Sequence, residues 1–171
     1  MTLRLILTRH AKSDWDNPLH TDHERPLNAR GRKAAPRIGR WLFENGYLPQ
    51  QALVSDAVRT KETWALLRQQ FPHEVNARFL SALYQGNGNP DLMLDVLSTA
   101  EAEAVILIGH NPGIGELAGM LVRVRPDHEG FDRYPTCATL VVEFDAERWS
   151  DMRPGTGIVR DFVVPRQLEH E

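Results

Sequence analysis

Short apolar runs alternate along the chain with stretches whose apolar residues recur every three or four positions, which predicts strands alternating with helices. Leu3, Leu5, Ile6 and Leu7 make a run of strand length, and its continuity marks a central strand buried on both faces. The span 11–27 is polar and holds Pro18 and Pro26, so it reads as a long connection. Asn28 then caps a helix over 29–45, where Ala34, Ile38, Trp41 and Leu42 keep helical spacing and Gly46 ends it; Pro36 predicts a kink or a later start. A brief strand over 52–54 leads to a helix over 59–71 that stops before Pro72. The span 76–83 is an ambiguous strand, followed by a turn-rich loop over 84–89 and a helix that opens at Pro90 and covers 91–100. Residues 104–108, Ala-Val-Ile-Leu-Ile, carry the strongest strand pattern of the chain, and 109–112 turn it into a helix over 113–122. Strands over 137–144 and 158–164 close the sequence.

This order predicts an α/β fold, a three-layer α/β/α sandwich around a mostly parallel central sheet, in a single domain over 1–165 with a frayed polar tail over 166–171. Such sheets place their ligands beyond the carboxyl ends of the strands. The two best strands end in His10 and His110, so two imidazoles are expected on the ligand-binding edge.

A chain of 171 residues, 42% apolar and 25% charged, is long enough and apolar enough to bury its own core. Its formal charge of −3 offers no general attraction to nucleic acid or anionic membrane, and no apolar stretch is long enough to span one, so neither partner is expected. The chain is read as a monomer, and any anion site in it must be local. One cysteine, Cys137, allows no internal disulfide and suits the cytoplasm; the apolar N-terminus ends at Arg9, too early for a signal-peptide core.

Candidate chemistry gathers at the strand ends. Arg9 sets a planar guanidinium, matched to phosphate oxygens, beside the imidazole of His10 on a rigid strand end. His110, within Gly109-His110-Asn111-Pro112-Gly113, stands near a helix start whose free N–H groups favour an anion. Arg59 opens the helix after the second strand and brings another guanidinium to the same edge. Each residue alone has a plainer reading: a strand-capping histidine, turn and cap residues, a solvated arginine among twenty Lys and Arg. Their convergence is what favours chemistry.

Leu5-Ile6-Leu7-Thr8-Arg9-His10-Ala11, Ser55-Asp56-Ala57-Val58-Arg59-Thr60 and Ile108-Gly109-His110-Asn111-Pro112, in that order, resemble the histidine phosphatase superfamily, whose fold is phosphoglycerate mutase-like. The short length, the segment Glu24-Arg25-Pro26-Leu27-Asn28-Ala29-Arg30-Gly31 and the His110-Asn111-Pro112-Gly113 turn are most similar to SixA-type phosphohistidine phosphatases, and the resemblance spans roughly 3–165. It implies a metal-independent phosphatase with no cofactor, in which His10 is the nucleophile and carries the phosphoryl group as phospho-His10. It also implies that Arg9, Arg59 and His110 bind that group and that Arg25 joins them, with Lys12 and Asn111 as further substrate-binding candidates. For attack, one nitrogen of His10 must be bare while the other donates to a carbonyl or carboxylate, and a bound phosphate should hold His110 cationic.

The chain also departs from the family. Ala11 and Lys12 follow His10 where the usual motif continues with glycine, and Lys12 adds a cation. Many members carry a glutamate general acid after the third strand, whereas Ser81-Ala82-Leu83-Tyr84-Gln85-Gly86 has no carboxylate, leaving Asp14 or Asp16 as substitutes. Imidazole leaves phosphohistidine more readily than an alkoxide leaves a phosphomonoester, so the missing acid points to phosphohistidine of a protein as substrate. The short span 80–103 leaves little sequence for a lid, which predicts an open site.

The alternatives are a phosphomonoesterase or phosphomutase acting on a small phosphorylated metabolite, or a non-catalytic phosphate-binding docking module. Cys137 is no tyrosine-phosphatase nucleophile, because Glu143 stands where that chemistry needs arginine. Asp14-Trp15-Asp16 does not end an apolar strand; His20, Asp22, His23 and Glu24 lack a metal-binding spacing; Gly109, Gly113 and Gly115 form no nucleotide-binding loop.

Overall fold

In the computed structural model, which describes residues 2–85 and 89–169, the strands are β1 (Thr2–Arg9), β2 (Gln51–Ser55), β3 (Asn76–Leu80), β4 (Ala104–Gly109), β5 (Thr139–Asp145) and β6 (Ile158–Val163). The helices are α1 (Ala29–Glu44), α2 (Val58–Arg68), α3 (Ser81–Gln85), α4 (Pro90–Leu97) and α5 (Gly113–Leu121), with single 3-10 turns at Trp149–Asp151 and Pro165–Leu168. All six strands form one sheet in the order β3-β2-β4-β1-β5-β6. β3, β2, β4 and β1 are parallel, while β5 runs antiparallel to both β1 and β6. The α/β fold with a mostly parallel sheet is therefore the one the chain adopts.

Successive strand side chains point to opposite faces, so a strand that is apolar at every position belongs between two covering layers. Leu5 and Leu7 pack on one side with Leu53, Leu107 and Leu117, and Ile6 packs on the other with Val54, Ile106, Ile38 and Trp64. α4 and α5 supply the first layer, α1 and α2 the second. Each fully buried leucine or isoleucine stabilises the fold by about 1.5–3 kcal/mol before ordering costs, so these layers hold the strand ends rigidly.

Local chemistry sets the element ends. Asn28 Oδ1 accepts the Gly31 N–H at 2.9 Å and caps α1, and Gly46, at φ 76°, follows its last turn. The later start expected from Pro36 does not occur: the helix begins at Ala29 and passes through Pro36, forfeiting one backbone hydrogen bond. α2 ends at Arg68 rather than residue 71, because Gln70 and Phe71 donate to Leu67 and Arg68 in tighter turns.

The ambiguous span 76–83 divides: β3 ends at Leu80 and α3 begins at once, which turns Tyr84 back over the strand ends. Residues 86–88 of the expected loop lie outside the described residues; Asn89 caps α4 by accepting from Asp91 N–H at 3.1 Å. The strand expected from residue 137 starts at Thr139, since Cys137 has φ 63° and cannot be extended there. The tail is ordered at its start: Leu168, 6% exposed, packs into the layer with Ile38, an apolar anchor among polar neighbours. No helix among the described residues is long and apolar enough to cross a membrane.

Candidate active site

Arg9 and Gly109 are the last paired residues of neighbouring parallel strands β1 and β4. The next residue on each is a histidine, so register alone sets His10 beside His110, with ring centroids 5.3 Å apart. His10 is held by its backbone on two sides, donating to the Gly109 carbonyl at 3.1 Å and accepting from Cys137 N–H at 3.0 Å. Its Nδ1 lies 2.6 Å from the Ala11 carbonyl, which can only accept. Nδ1 therefore carries the proton and Nε2 keeps its lone pair, the tautomer a nucleophile requires. Burial, reinforced by His110, Arg59 and Arg9, holds His10 well below the usual imidazole range, so the ring is neutral at neutral pH.

His110 is 1% exposed, its Nε2 2.7 Å from the Ser55 hydroxyl at the end of β2. Burial first, and then the Arg59 charge, push its pKa down to about 3. The cationic His110 anticipated for a phosphate-bound site is thus not the charge state of the protein's own groups, whose guanidiniums favour the neutral ring. A phosphoryl dianion acts in the opposite direction.

Arg59 lies in the first turn of α2 and is 3% exposed; Arg25, from the long connection, is nearly as buried. The connection is tied down by Ser13 pairing with Leu27, by Leu27 N–H donating to Glu62 at 2.9 Å and by His23 bonded to Asp56 at 2.9 Å. Thr63 joins α2 to the nucleophile segment: its hydroxyl accepts from Ala11 N–H at 3.0 Å and donates to the Arg59 carbonyl at 2.7 Å. Arg9 donates Nη1 to the Tyr134 carbonyl at 3.2 Å. Among the described residues, three buried side-chain nitrogens have no hydrogen-bond partner: Arg9 Nε, Arg59 Nε and His110 Nδ1. Burying an unpaired polar group costs about 1–3 kcal/mol, so three at one spot mark a place built for something other than stability.

Two residues at this site escaped the sequence reading. Asp22 bonds Arg25 Nη2 through Oδ1 at 3.0 Å and Arg59 Nη2 through Oδ2 at 3.1 Å, and Tyr84 Oη donates to Oδ2 at 2.7 Å. Although its burial opposes ionisation, the Tyr84 hydrogen bond and both arginines together hold the Asp22 carboxyl at about 2. The three-residue spacing of Asp22 and Arg25 is the one signal the sequence carries for this pair. Tyr84 stands in the segment noted only for lacking a glutamate, and its ring meets His110 edge-on at 5.5 Å.

The structure gathers Arg9, His10, Arg25, Arg59 and His110, and sets the remaining candidates elsewhere. Lys12 is exposed and faces a groove beside the site. Asn111 spends its side chain on the fold: Nδ2 donates to the Arg133 and Tyr134 carbonyls at 3.0 Å, and Oδ1 accepts from Gly115 N–H at 3.2 Å, capping α5. A direct substrate contact by Asn111 is therefore not available in this arrangement. Asp14, half-buried on the connection, accepts from Asp16 N–H at 2.7 Å. Cys137 is fully buried, which pushes its thiol up to about 12 and keeps it unreactive.

The model of the histidine phosphatase superfamily (branch 1) matches residues 5–83. An uncharacterized chloroplastic protein of Arabidopsis thaliana is 36% identical over 127 residues, 69% of this chain, and the chain spans 58% of that relative's length. Among solved structures, a protein assigned as the phosphohistidine phosphatase SixA of Nakamurella multipartitia is 26% identical with TM-score 0.76, over 96% of this chain and 97% of that one. A protein histidine phosphatase SixA complexed with tungstate, 21% identical, shares the fold with TM-score 0.78 over 98% of this chain and all of the other. The family match runs from β1 through α2 into α3, the span that contributes His10, Arg25 and Arg59, and the likeness in fold continues through β4 and His110: over residues 5–83 the chain matches the histidine phosphatase superfamily, and its fold throughout is the one these solved structures share.

Proposed function

We propose that the protein is a metal-independent phosphatase that removes the phosphoryl group of a protein phosphohistidine through phospho-His10. The observation that carries this reading is that Arg9, Arg59 and His110, each with a buried nitrogen that lacks a partner, all lie close enough to His10 to depress its pKa, while His10 keeps a bare Nε2. A phosphoryl group in transfer spreads its charge over three equatorial oxygens, and fixed guanidiniums stabilise it without reorganising. His10 Nε2 gives its lone pair to phosphorus while the bond from phosphorus to the substrate nitrogen breaks, and the departing imidazole nitrogen takes a proton from water. Water then attacks phospho-His10, the N–P bond returns its electron pair to Nε2, and inorganic phosphate leaves. Asp22, an anion already resting on Arg25 and Arg59, yields its place to the incoming phosphoryl group.

Asp22 also supports the substrate class. Held at about 2, it has no proton to give an alkoxide at neutral pH, whereas the imidazole of phosphohistidine departs with less help. α4 buries Met93 and Leu97 in the core and so serves as structure rather than as a cover over the histidines. The same reading keeps residues 1–165 as one functional unit and assigns it to the cytoplasm.

The test is hydrolysis of a phosphohistidine peptide and of para-nitrophenyl phosphate, under chelator, by wild type and His10→Ala. Wild type is expected to turn over the peptide faster and His10→Ala, still folded, to be inactive on both. Two inert proteins that still bind phosphate would make this a docking module, and turnover of the phosphomonoester alone would overturn the substrate class.

A further inference from the structure

A groove of about 1130 Å³ opens beside the histidines. It starts at Lys12, next to the Ala11 carbonyl that holds His10, and at Arg133, whose carbonyl accepts from the residue after His110. Its walls carry Lys12, Arg30, Lys33, Arg37, Arg133 and Arg166 against two carboxylates, Glu129 and Glu169. In a chain of net charge −3 this is a strong local excess of positive charge. None of the six side chains forms an ion pair or hydrogen bond with any described residue.

The layout of these charges distinguishes between ligands. Arg30, Lys33 and Arg37 are exposed on one face of α1, and their spacing spreads them over about 10 Å of helix. A single small anion wants donors that converge, as Arg9 and Arg59 do; a row of separated, solvated cations matches a row of carboxylates. A flat membrane surface does not reach into a concave groove. A separate feature points the same way. Trp15 is 75% exposed and lies under the Arg25 guanidinium, 3.4 Å from its ring centroid, and Leu19 is 88% exposed on the same connection. Rigid exposed aromatic and large apolar groups beside a site are characteristic of protein-binding surfaces.

We infer that the basic groove docks an acidic face of the phosphoprotein substrate, aligning its carboxylates along α1 while the phosphorylated side chain enters at His10. The inference rests on the phosphohistidine reading above and adds the partner's chemistry to it. Charges of this kind act mainly on encounter and KM and weaken with salt.

Two phosphohistidine peptides of equal length, one flanked by glutamates and one by glutamines, test it, with para-nitrophenyl phosphate as a substrate too small to reach the groove. Wild type should favour the glutamate peptide about tenfold in kcat/KM at low ionic strength, through KM, and lose the preference in high salt. The triple variant Arg30→Gln, Lys33→Gln, Arg37→Gln should lose that preference while its turnover of the other two substrates stays at the wild-type level. Equal handling of the two peptides by wild type, or a preference that survives in the variant, would overturn the groove and leave the phosphohistidine reading standing. Turnover of para-nitrophenyl phosphate with neither peptide hydrolysed would remove both. Undiscriminated peptides together with variant-sensitive sedimentation on phosphatidylserine vesicles would reassign the groove to a membrane.

Discussion

Asp22 and Arg59 meet twice: the guanidinium donates Nη1 to the Asp22 backbone carbonyl at 2.7 Å and Nη2 to its carboxylate at 3.1 Å. The backbone contact fixes where the long connection crosses the site, and the carboxylate contact places an anion of the protein's own on a guanidinium proposed to bind phosphate. The two contacts have separable consequences, because a change of side chain removes one and leaves the other.

Asp22→Asn keeps an acceptor for Tyr84 and removes the competing charge. Inorganic phosphate or tungstate should then bind more tightly, severalfold and at most about tenfold, since the carboxylate is half exposed and its charge is partly screened. Calorimetric titration of both proteins decides it; an unchanged or weaker affinity would show that Asp22 does not contend with the ligand.

Ser55 is the polar partner of His110 Nε2. Ser55→Ala should lower kcat by about tenfold, the worth of one hydrogen bond near 1.4 kcal/mol, and leave the melting temperature within a few degrees of wild type. A variant with wild-type kcat would mean that packing alone orients the ring.

The histidines set the acid sensitivity of the fold. His110 titrates near 3 in the folded chain and near 6.5 when unfolded, and burial moves His10 in the same direction. Between these values the unfolded chain binds more protons, so stability is full above about pH 6.5 and falls as pH drops towards 3, by about 1.4 kcal/mol per pH unit for each such group. Denaturant titrations across pH 4 to 7 should show this loss, and saturating phosphate should flatten it by favouring the imidazolium. A profile that is flat without phosphate would contradict neutral, buried histidines.

Gly31 touches the nucleophile segment from behind. A Cβ at this position would lie 2.1 Å from the Lys12 carbonyl oxygen, which is backbone and cannot swing aside. Gly31→Ala should destabilise the protein by about 1–3 kcal/mol and lower kcat as well, because the displaced segment carries Ala11 and the carbonyl that fixes the His10 tautomer. Urea unfolding and steady-state kinetics on the same preparation test both effects, and loss of stability with intact kcat would show that the displacement does not reach His10.

Much of this protein is written locally. A strand apolar at every position must be buried on both sides, so Leu5 to Leu7 and Val105 to Ile108 declare a central parallel sheet, and the histidines that follow them lie on its carboxyl edge wherever the rest of the chain goes. Arg9, Arg59 and the histidine pair were legible for the same reason: each sits within a residue or a turn of an element end. What only tertiary structure decided concerns residues in irregular backbone or in a single helical turn, whose positions no periodicity constrains. Asp22 reaches Arg59 across thirty-seven residues and Tyr84 reaches Asp22 across sixty-two, so neither partnership has a local trace. Lys12 and Asn111, adjacent in sequence to His10 and His110, have surroundings of their own, one in a basic groove assembled from four distant segments and one at the cap of α5. Neighbourhood along the chain specifies where a backbone leaves a strand; which way the next side chain faces depends on the loops and helices that pack against it.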